Sequence, residues 1–479
     1  MKTKNMKTKK IITTIIASIV ALFANADVQK AKVSDKLRAL WNDPVLQEQI
    51  ETGIKANRMS DFFLKFVQKN ELYPKKGKRY EDVNVSDLKV EQVKHDFLFG
   101  CNAFLIDAFR NADGTINQAE CDKYGEVFSK IFNFATLSFY WKDIEPEENK
   151  WRFSKDSKFI YRRPAGDVSV EFCKKYDLVM KGHCLVWGVN KHWGQPDWAT
   201  LKRDTEAFKS AIMRNMREIA KRYGEDIKIW DVINESGSYR NITSMMFDDY
   251  IYEAFKEAER IFPRETILIN NETDRAFTQL NNDDYTGRFF QTNNYLISKG
   301  AKLDAVGVQY HVFREYRWKD ILAGKIETPE FFLNALDFLA KQNRPIHITE
   351  ITIPGMGEYG EDNQAFWIEQ LYRLWFSHPK VEAITWWNLV DGMAVAGEDK
   401  WKGGLVYRDF TPKKAYKVLD RLINKQWRTN INFAGENNRV HFRGFYGTYK
   451  LTYKYNGKTI SQTVRLSKGT RECLVEVVE

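Results

Sequence analysis

Glu235 ends the segment Trp230-Asp231-Val232-Ile233-Asn234-Glu235, and Glu350 ends Ile346-His347-Ile348-Thr349-Glu350. In each, an apolar, β-branched run stops on a carboxylate. Two carboxylic acids facing one cleft can split a glycosidic bond. One protonates the leaving oxygen, and the other attacks as nucleophile or activates a water. A lone glutamate at a strand end is as readily a salt-bridge partner, but two in the same pattern argue for chemistry. Asn234 precedes Glu235, where its amide can hydrogen-bond a sugar 2-hydroxyl. Other runs close on His183 and Trp187, on Gln309 and His311, and on Trp386, Trp387 and Asn388. His183 and His311 can also be read as metal ligands. No carboxylate-rich or H-E-x-x-H spacing accompanies them, so no metal is expected, and no cofactor is expected because both reacting groups would be side chains.

A barrel is the element arrangement that would bring these residues together. From residue 91 the chain alternates short apolar runs with longer helical stretches. The runs are Phe97–Phe104, Phe132–Phe139, Leu178–Trp187, Ile227–Asn234, Thr266–Asn270, Leu303–His311, Pro345–Ile353 and Ala383–Val390. Strands alternating with helices imply parallel β/α units, and eight of them imply a (β/α)₈ barrel of the α/β class. Glu235 and Glu350 then end strands four and seven, on the face where barrels carry their chemistry. A doubly wound sheet is the alternative, but no Gly-rich phosphate fingerprint follows the first strand.

The flanks read differently. Lys2, Lys4, Lys7, Lys9 and Lys10 precede an apolar stretch, Ile11 to Phe23, and Ala24-Asn25-Ala26 supplies small residues for cleavage. Residues 1–26 therefore read as a secretory signal peptide. Their removal takes away five lysines and no acid, which halves the formal charge of +10 to +5. No basic stripe remains to suggest a nucleic-acid partner. Residues 27–90 read as a helical N-terminal extension, 91–428 as the catalytic barrel and 429–479 as a small C-terminal β-domain. The alternating segments of that tail, such as Tyr449–Tyr455 and Thr459–Leu466, are punctuated by glycines. The five cysteines, Cys101, Cys121, Cys173, Cys184 and Cys473, are widely spaced and form no C-x-x-C pair.

Five segments together resemble the strand motifs of family 10 glycoside hydrolases, mostly retaining endo-β-1,4-xylanases on a (β/α)₈ barrel. They are Lys181–Trp187, Trp230–Glu235, Gly307–His311, Ile348–Glu350 and Ile384–Trp387, in the family's order. Pro412-Lys413-Lys414-Ala415-Tyr416 is similar to the start of the family's last helix. The resemblance implies that Glu235 is the general acid/base and Glu350 the nucleophile. It implies that Asn234 meets the 2-hydroxyl, His311 orients the nucleophile and Gln309 lines the same site. His183 and Trp187 would hold the sugar at the cleaved bond, and Trp387 would cover it.

The sequence also departs from that family. Where its members carry Glu, Asn and Lys on strand two, this chain has Thr136, Leu137 and Tyr140, of which Tyr140 stays a candidate for substrate contact. Gly188 stands where His is usual, and Asn270-Asn271-Glu272 replaces Asn-Asp-Tyr. Past Asp391 the family's second tryptophan is not at its place, and Trp401 lies farther on, either as its substitute or as an unrelated residue. The expected activity is retaining cleavage of internal β-1,4 bonds in xylan by a secreted enzyme acting as a monomer. A substituted xylan, another β-linked glycan, or sugar binding without turnover are the alternatives. Asn84, Asn234, Asn241 and Asn271 head glycosylation sequons. A glycan on Asn234 would block the cleft, which points to a bacterial host and a periplasmic or extracellular site.

Overall fold

The structure, a computed structural model, describes residues 29–70, 79–188, 191–201, 203–237, 244–280 and 287–478. The expected signal peptide and Asn241 lie outside the described residues. Eight parallel strands close a barrel: β4 (Leu98–Asn102), β5 (Phe134–Ser138), β6 (Val179–Val186), β7 (Ile229–Asn234), β8 (Ile267–Glu272), β9 (Ala305–His311), β10 (Ile346–Thr352) and β11 (Val381–Trp386). β11 pairs back onto β4 and completes the ring. Every residue of β5, β7 and β10 is buried. Barrel strands are covered on both faces, which is why they read as continuous apolar runs rather than alternating ones. Six of the eight predicted runs contain their strands; the other two overlap theirs, with β8 running two residues further, to Glu272, and β11 starting two earlier.

The flanks differ from expectation in one respect. Residues 35–41 and 44–58 are helices, the second opened by Pro44 and capped by Asp43, whose carboxylate accepts from Val45 and Leu46 N–H at 3.0 Å. Beyond Arg58 the segment is strand: β1 (Met59–Lys69), β2 (Tyr80–Asp82) and β3 (Val85–His95). Phe62, Leu64 and Phe66 bury at period two, a strand rhythm within what reads as a helical stretch.

These strands complete the C-terminal β-unit. The tail supplies β12 (Asn430–Asn437), β13 (Arg439–Phe445), β14 (Gly447–Tyr455), β15 (Lys458–Leu466) and β16 (Glu472–Glu476). β1 lies between β13 and β16, and β3 between β12 and β14. The shared core takes Phe62, Leu64, Phe66, Val85, Leu88 and Val90 from the front of the chain and Phe442, Tyr449, Leu451 and Tyr453 from its end. Residues 429–479 alone would leave both sheets without an inner strand. All five cysteines are free thiols.

Arg58 ties the unit to the barrel. Its guanidinium donates to the carbonyls of Phe376, His378 and Val381 at 2.6, 2.5 and 2.7 Å. Burial brings its pKa down to about 10. Arg58→Ala removes all three bonds and is expected to cost about 2–4 kcal/mol, because buried polar groups lose their partners. Urea unfolding should show a lowered midpoint; an unchanged midpoint would mean that this tie carries no stability.

Candidate active site

The carboxyl ends of the barrel strands surround a cleft of about 570 Å³. Glu235, the residue after β7, and Glu350 on β10 both line it, as do Asn234, His183, Trp187, Gln309, His311, Trp387 and Tyr140. Strand direction explains this convergence. Parallel strands all end on one face, so the last residues of each run meet there.

One amide joins the two acids. Gln309 Nε2 lies 3.0 Å from Glu350 Oε1 and 3.4 Å from Glu235 Oε1. Glu350 also accepts from Asn271 Nδ2 at 3.1 Å, and its other oxygen is 3.2 Å from His311 Nε2. His183 Nε2 stands 3.8 Å away. Burial opposes a charge on His311, yet the bond to Glu350 and its negative charge raise the His311 pKa overall. The ring therefore donates to the carboxylate and holds it in one orientation.

Glu235 sits in a different field. Burial first, then the negative charges of Glu350 and Glu272, push its carboxyl up to about 7, against hydrogen bonds from Gln309 and Trp187. Its neutral form therefore persists near neutral pH, as a proton donor requires. Trp187, expected to hold sugar, places its indole N–H 3.2 Å from Glu235 Oε2 and so also steadies the acid.

Behind the cleft lies a buried ionic support. Lys181 Nζ is 2.9 Å from Asp231 Oδ2, which also accepts from His183 Nδ1 at 2.8 Å. Burial would raise the Asp231 pKa, but Lys181 and His183 hold it below the ordinary value. This fixes Nδ1 of His183 as the protonated nitrogen and directs Nε2 into the site.

Asn234 accepts from Asn271 Nδ2 at 2.9 Å, and Asn271 Oδ1 accepts from Thr349 Oγ1. Asn271 thus joins the residue beside the acid to the one before Glu350. Sequence reasoning noted Asn271 as a departure from the family and as a sequon head, not as a site residue, since the predicted strand stops at Asn270. Both Asn234 and Asn271 are buried, so the folded protein withholds these two sequons.

The altered strand-two positions separate in space. Leu137 belongs to the barrel core, and Thr136 is buried with its hydroxyl unpartnered. Only Tyr140 reaches the cleft, where it packs with Phe104, Cys184 and Trp387. Its ring meets His183 edge-on at 5.3 Å and lies 5.5 Å from Trp187. Trp401, farther on in sequence, also lines the cleft. Phe104, Arg162, Arg163 and Phe313 line it as well. Phe104 closes the first predicted run, a signal that sequence reasoning did not use, whereas Arg162, Arg163 and Phe313 sit in loops and leave no local pattern to single them out.

The sequence model of Glycosyl hydrolase family 10 matches residues 102–421. The anti-sigma-I factor RsgI6 of Acetivibrio thermocellus is 29% identical over 344 residues, which are 71% of this chain and 41% of that protein. Endo-1,4-beta-xylanase B of Thermotoga neapolitana is 26% identical over 323 residues, 64% of this chain and 85% of the relative. Among solved structures, xylanase 10B from Thermotoga petrophila RKU-1 in complex with xylobiose superposes with a TM-score of 0.55 at 22% identity. That match covers 69% of this chain and 95% of the other and shares its barrel fold. This chain thus spans less than half of RsgI6 but most of the bacterial xylanase. With the family model covering about two thirds of the chain, from the last residue of the first barrel strand through the other seven, the chain belongs to glycosyl hydrolase family 10.

Proposed function

We propose that this chain is an exported retaining glycoside hydrolase that cleaves internal β-1,4-xylosidic bonds of xylan. The observation that carries the reading is the pair Glu235 and Glu350, bridged by one Gln309 amide and held in opposite roles. Two acceptor oxygens at 3.0 and 3.4 Å from one nitrogen are close neighbours. That favours the retaining spacing of about 5–5.5 Å over the ~6.5–9.5 Å that leaves room for an attacking water. Relatives named endo-1,4-β-xylanases support the substrate class. Export rests on the character of residues 1–26.

The steps follow from the surroundings. Glu350, aimed by His311, Asn271 and Gln309, attacks the anomeric carbon and forms a glycosyl ester. Glu235 gives its proton to the departing glycosidic oxygen. Ester formation removes the negative charge that had raised the Glu235 pKa. The deprotonated Glu235 then takes a proton from water, which attacks the anomeric carbon and releases Glu350. Asn234 stands where it can bond the 2-hydroxyl of the sugar being transferred, a contact that strengthens in the transition state.

Two measurements test this. Incubation with linear xylan, glucuronoarabinoxylan and a β-glucan should release oligosaccharides from the xylans, with the β-anomer formed first by NMR. A first-formed α-anomer would exclude double displacement, and cleavage of β-glucan alone would exclude xylan. For the second, kcat/KM should decline above pH 7 by about tenfold per unit, because free Glu235 must keep its proton. A profile level to pH 9 would show that Glu235 is not the acid.

A further inference from the structure

The strand-two end of the cleft carries cations that the hydrolysis described above does not use. Arg162 and Arg163, from the loop after β5, line the cleft together with Lys400 from the loop after β11. Arg163 is held rigidly. Its Nε donates to Asp143 at 2.9 Å and its Nη1 to the Arg162 carbonyl at 2.9 Å. Its guanidinium lies 4.4 Å from the Tyr140 ring centroid and 5.5 Å from that of Phe104. Its Nη2 amino group has no hydrogen-bond partner among the described residues.

Arg162 stands behind it, 3% exposed. It donates to the Met393 carbonyl at 2.8 Å and to Asn388 Oδ1 at 2.6 Å, while its Nε is buried with no hydrogen-bond partner. The facing anions are Asp143, bound to Arg163, and Glu398, which accepts from Asn388 Nδ2 at 2.6 Å. Glu350, deeper in the same cleft, also acts on Tyr140, so what marks this end is the clustering of Arg162, Arg163 and Lys400 on the cleft wall rather than a net charge. The position that could serve neutral hydroxyls, Leu137, is apolar and turned into the core.

We propose that this end of the cleft is a subsite for a carboxylate-bearing sugar, a uronic acid carried on the xylan, with Arg163 as its principal contact. The proposal rests on the glycosidase reading and narrows its substrate. A planar, pre-oriented guanidinium recognises a carboxylate at low entropic cost, and stacking on Tyr140 and Phe104 supplies that orientation. A neutral sugar presents no charge to match it.

The test compares kcat/KM of the full chain on three oligosaccharides of equal backbone length. One carries a single glucuronic acid, one is the same compound with its carboxyl reduced to an alcohol, and one is undecorated xylo-oligosaccharide. The acidic compound is expected to exceed its carboxyl-reduced form by about tenfold or more, the worth of one charge-assisted bond. Arg163→Gln should bring that ratio close to one, and Arg163→Lys should restore part of it. Equal rates on the acidic and reduced forms would overturn the subsite while leaving the hydrolase reading intact. This comparison uses the wild-type protein and stands even if the variants fold poorly. A ratio unchanged in folded Arg163→Gln would also overturn it. Cleavage of none of the three would defeat the hydrolase reading and the subsite together.

Discussion

Glu350→Ala should lose hydrolysis of xylan by about 10⁴-fold or more, since the covalent step has no other nucleophile. The surroundings say why no neighbour takes its place. Asn271, Gln309 and His311 all offer N–H donors to Glu350 at 3.0–3.2 Å, and donors cannot attack an electron-poor carbon. The other carboxyls lining the cleft are Glu235, which is needed as the acid, and Glu398, which accepts from Asn388 Nδ2 at 2.6 Å. Glu272 does not line the cleft and is bound to the Gly237 and Thr273 N–H groups and the Ser236 hydroxyl. Removing the Glu350 side chain also leaves space below the anomeric carbon. Azide should enter it and react with an activated aryl β-xyloside to give the α-glycosyl azide, as one displacement inverts. Circular dichroism establishes folding of the variant. Xylan hydrolysis at the wild-type rate by folded Glu350→Ala would end the assignment.

Glu235→Ala should fall by about 10²–10⁴-fold, the usual share of general acid–base catalysis. The loss should depend on the leaving group. Xylan, whose departing alcohol needs a proton, should suffer most, and a dinitrophenyl β-xyloside much less. Azide should here yield the β-glycosyl azide, because it intercepts the ester on Glu350 in a second inversion. The pH profile supplies the complementary sign. Glu235 has its pKa pushed up to about 7, so the acid form is present below that pH and is lost above it. The variant should therefore lack the decline near pH 7. A decline that persists would assign it to another group. Equal losses on good and poor leaving groups would remove Glu235 from the proton-donor role.

Much of the site was legible before folding was considered. The eight strands announced themselves because residues buried on both faces form unbroken apolar runs, and that is a local property. Glu235 and Glu350 stood out because each is a carboxylate at or near the C-terminal end of such a run. Parallel strand direction then places both on one face without further information. The family resemblance added roles to these positions but could not show their contacts.

What only tertiary structure decided involves residues distant in sequence. Asn271 meets Glu350 across 79 positions, and Arg162 meets Asn388 across 226. The stacking of Arg163 on Tyr140 depends on where a loop returns, which no periodicity encodes. The same holds for the β-unit. The alternation of Phe62, Leu64 and Phe66 marks β1 as a strand, but its partner, β13, lies near the other end of the chain. A strand's sequence specifies which of its faces is apolar. The strand beside it is selected by the enclosed core and by backbone hydrogen bonds that any residue but proline can make. The strands and the two glutamates proposed to act were therefore written locally. The partners that tune the acids, fix the arginines and close the second domain were settled by the folded chain, through contacts that exist only once distant segments meet.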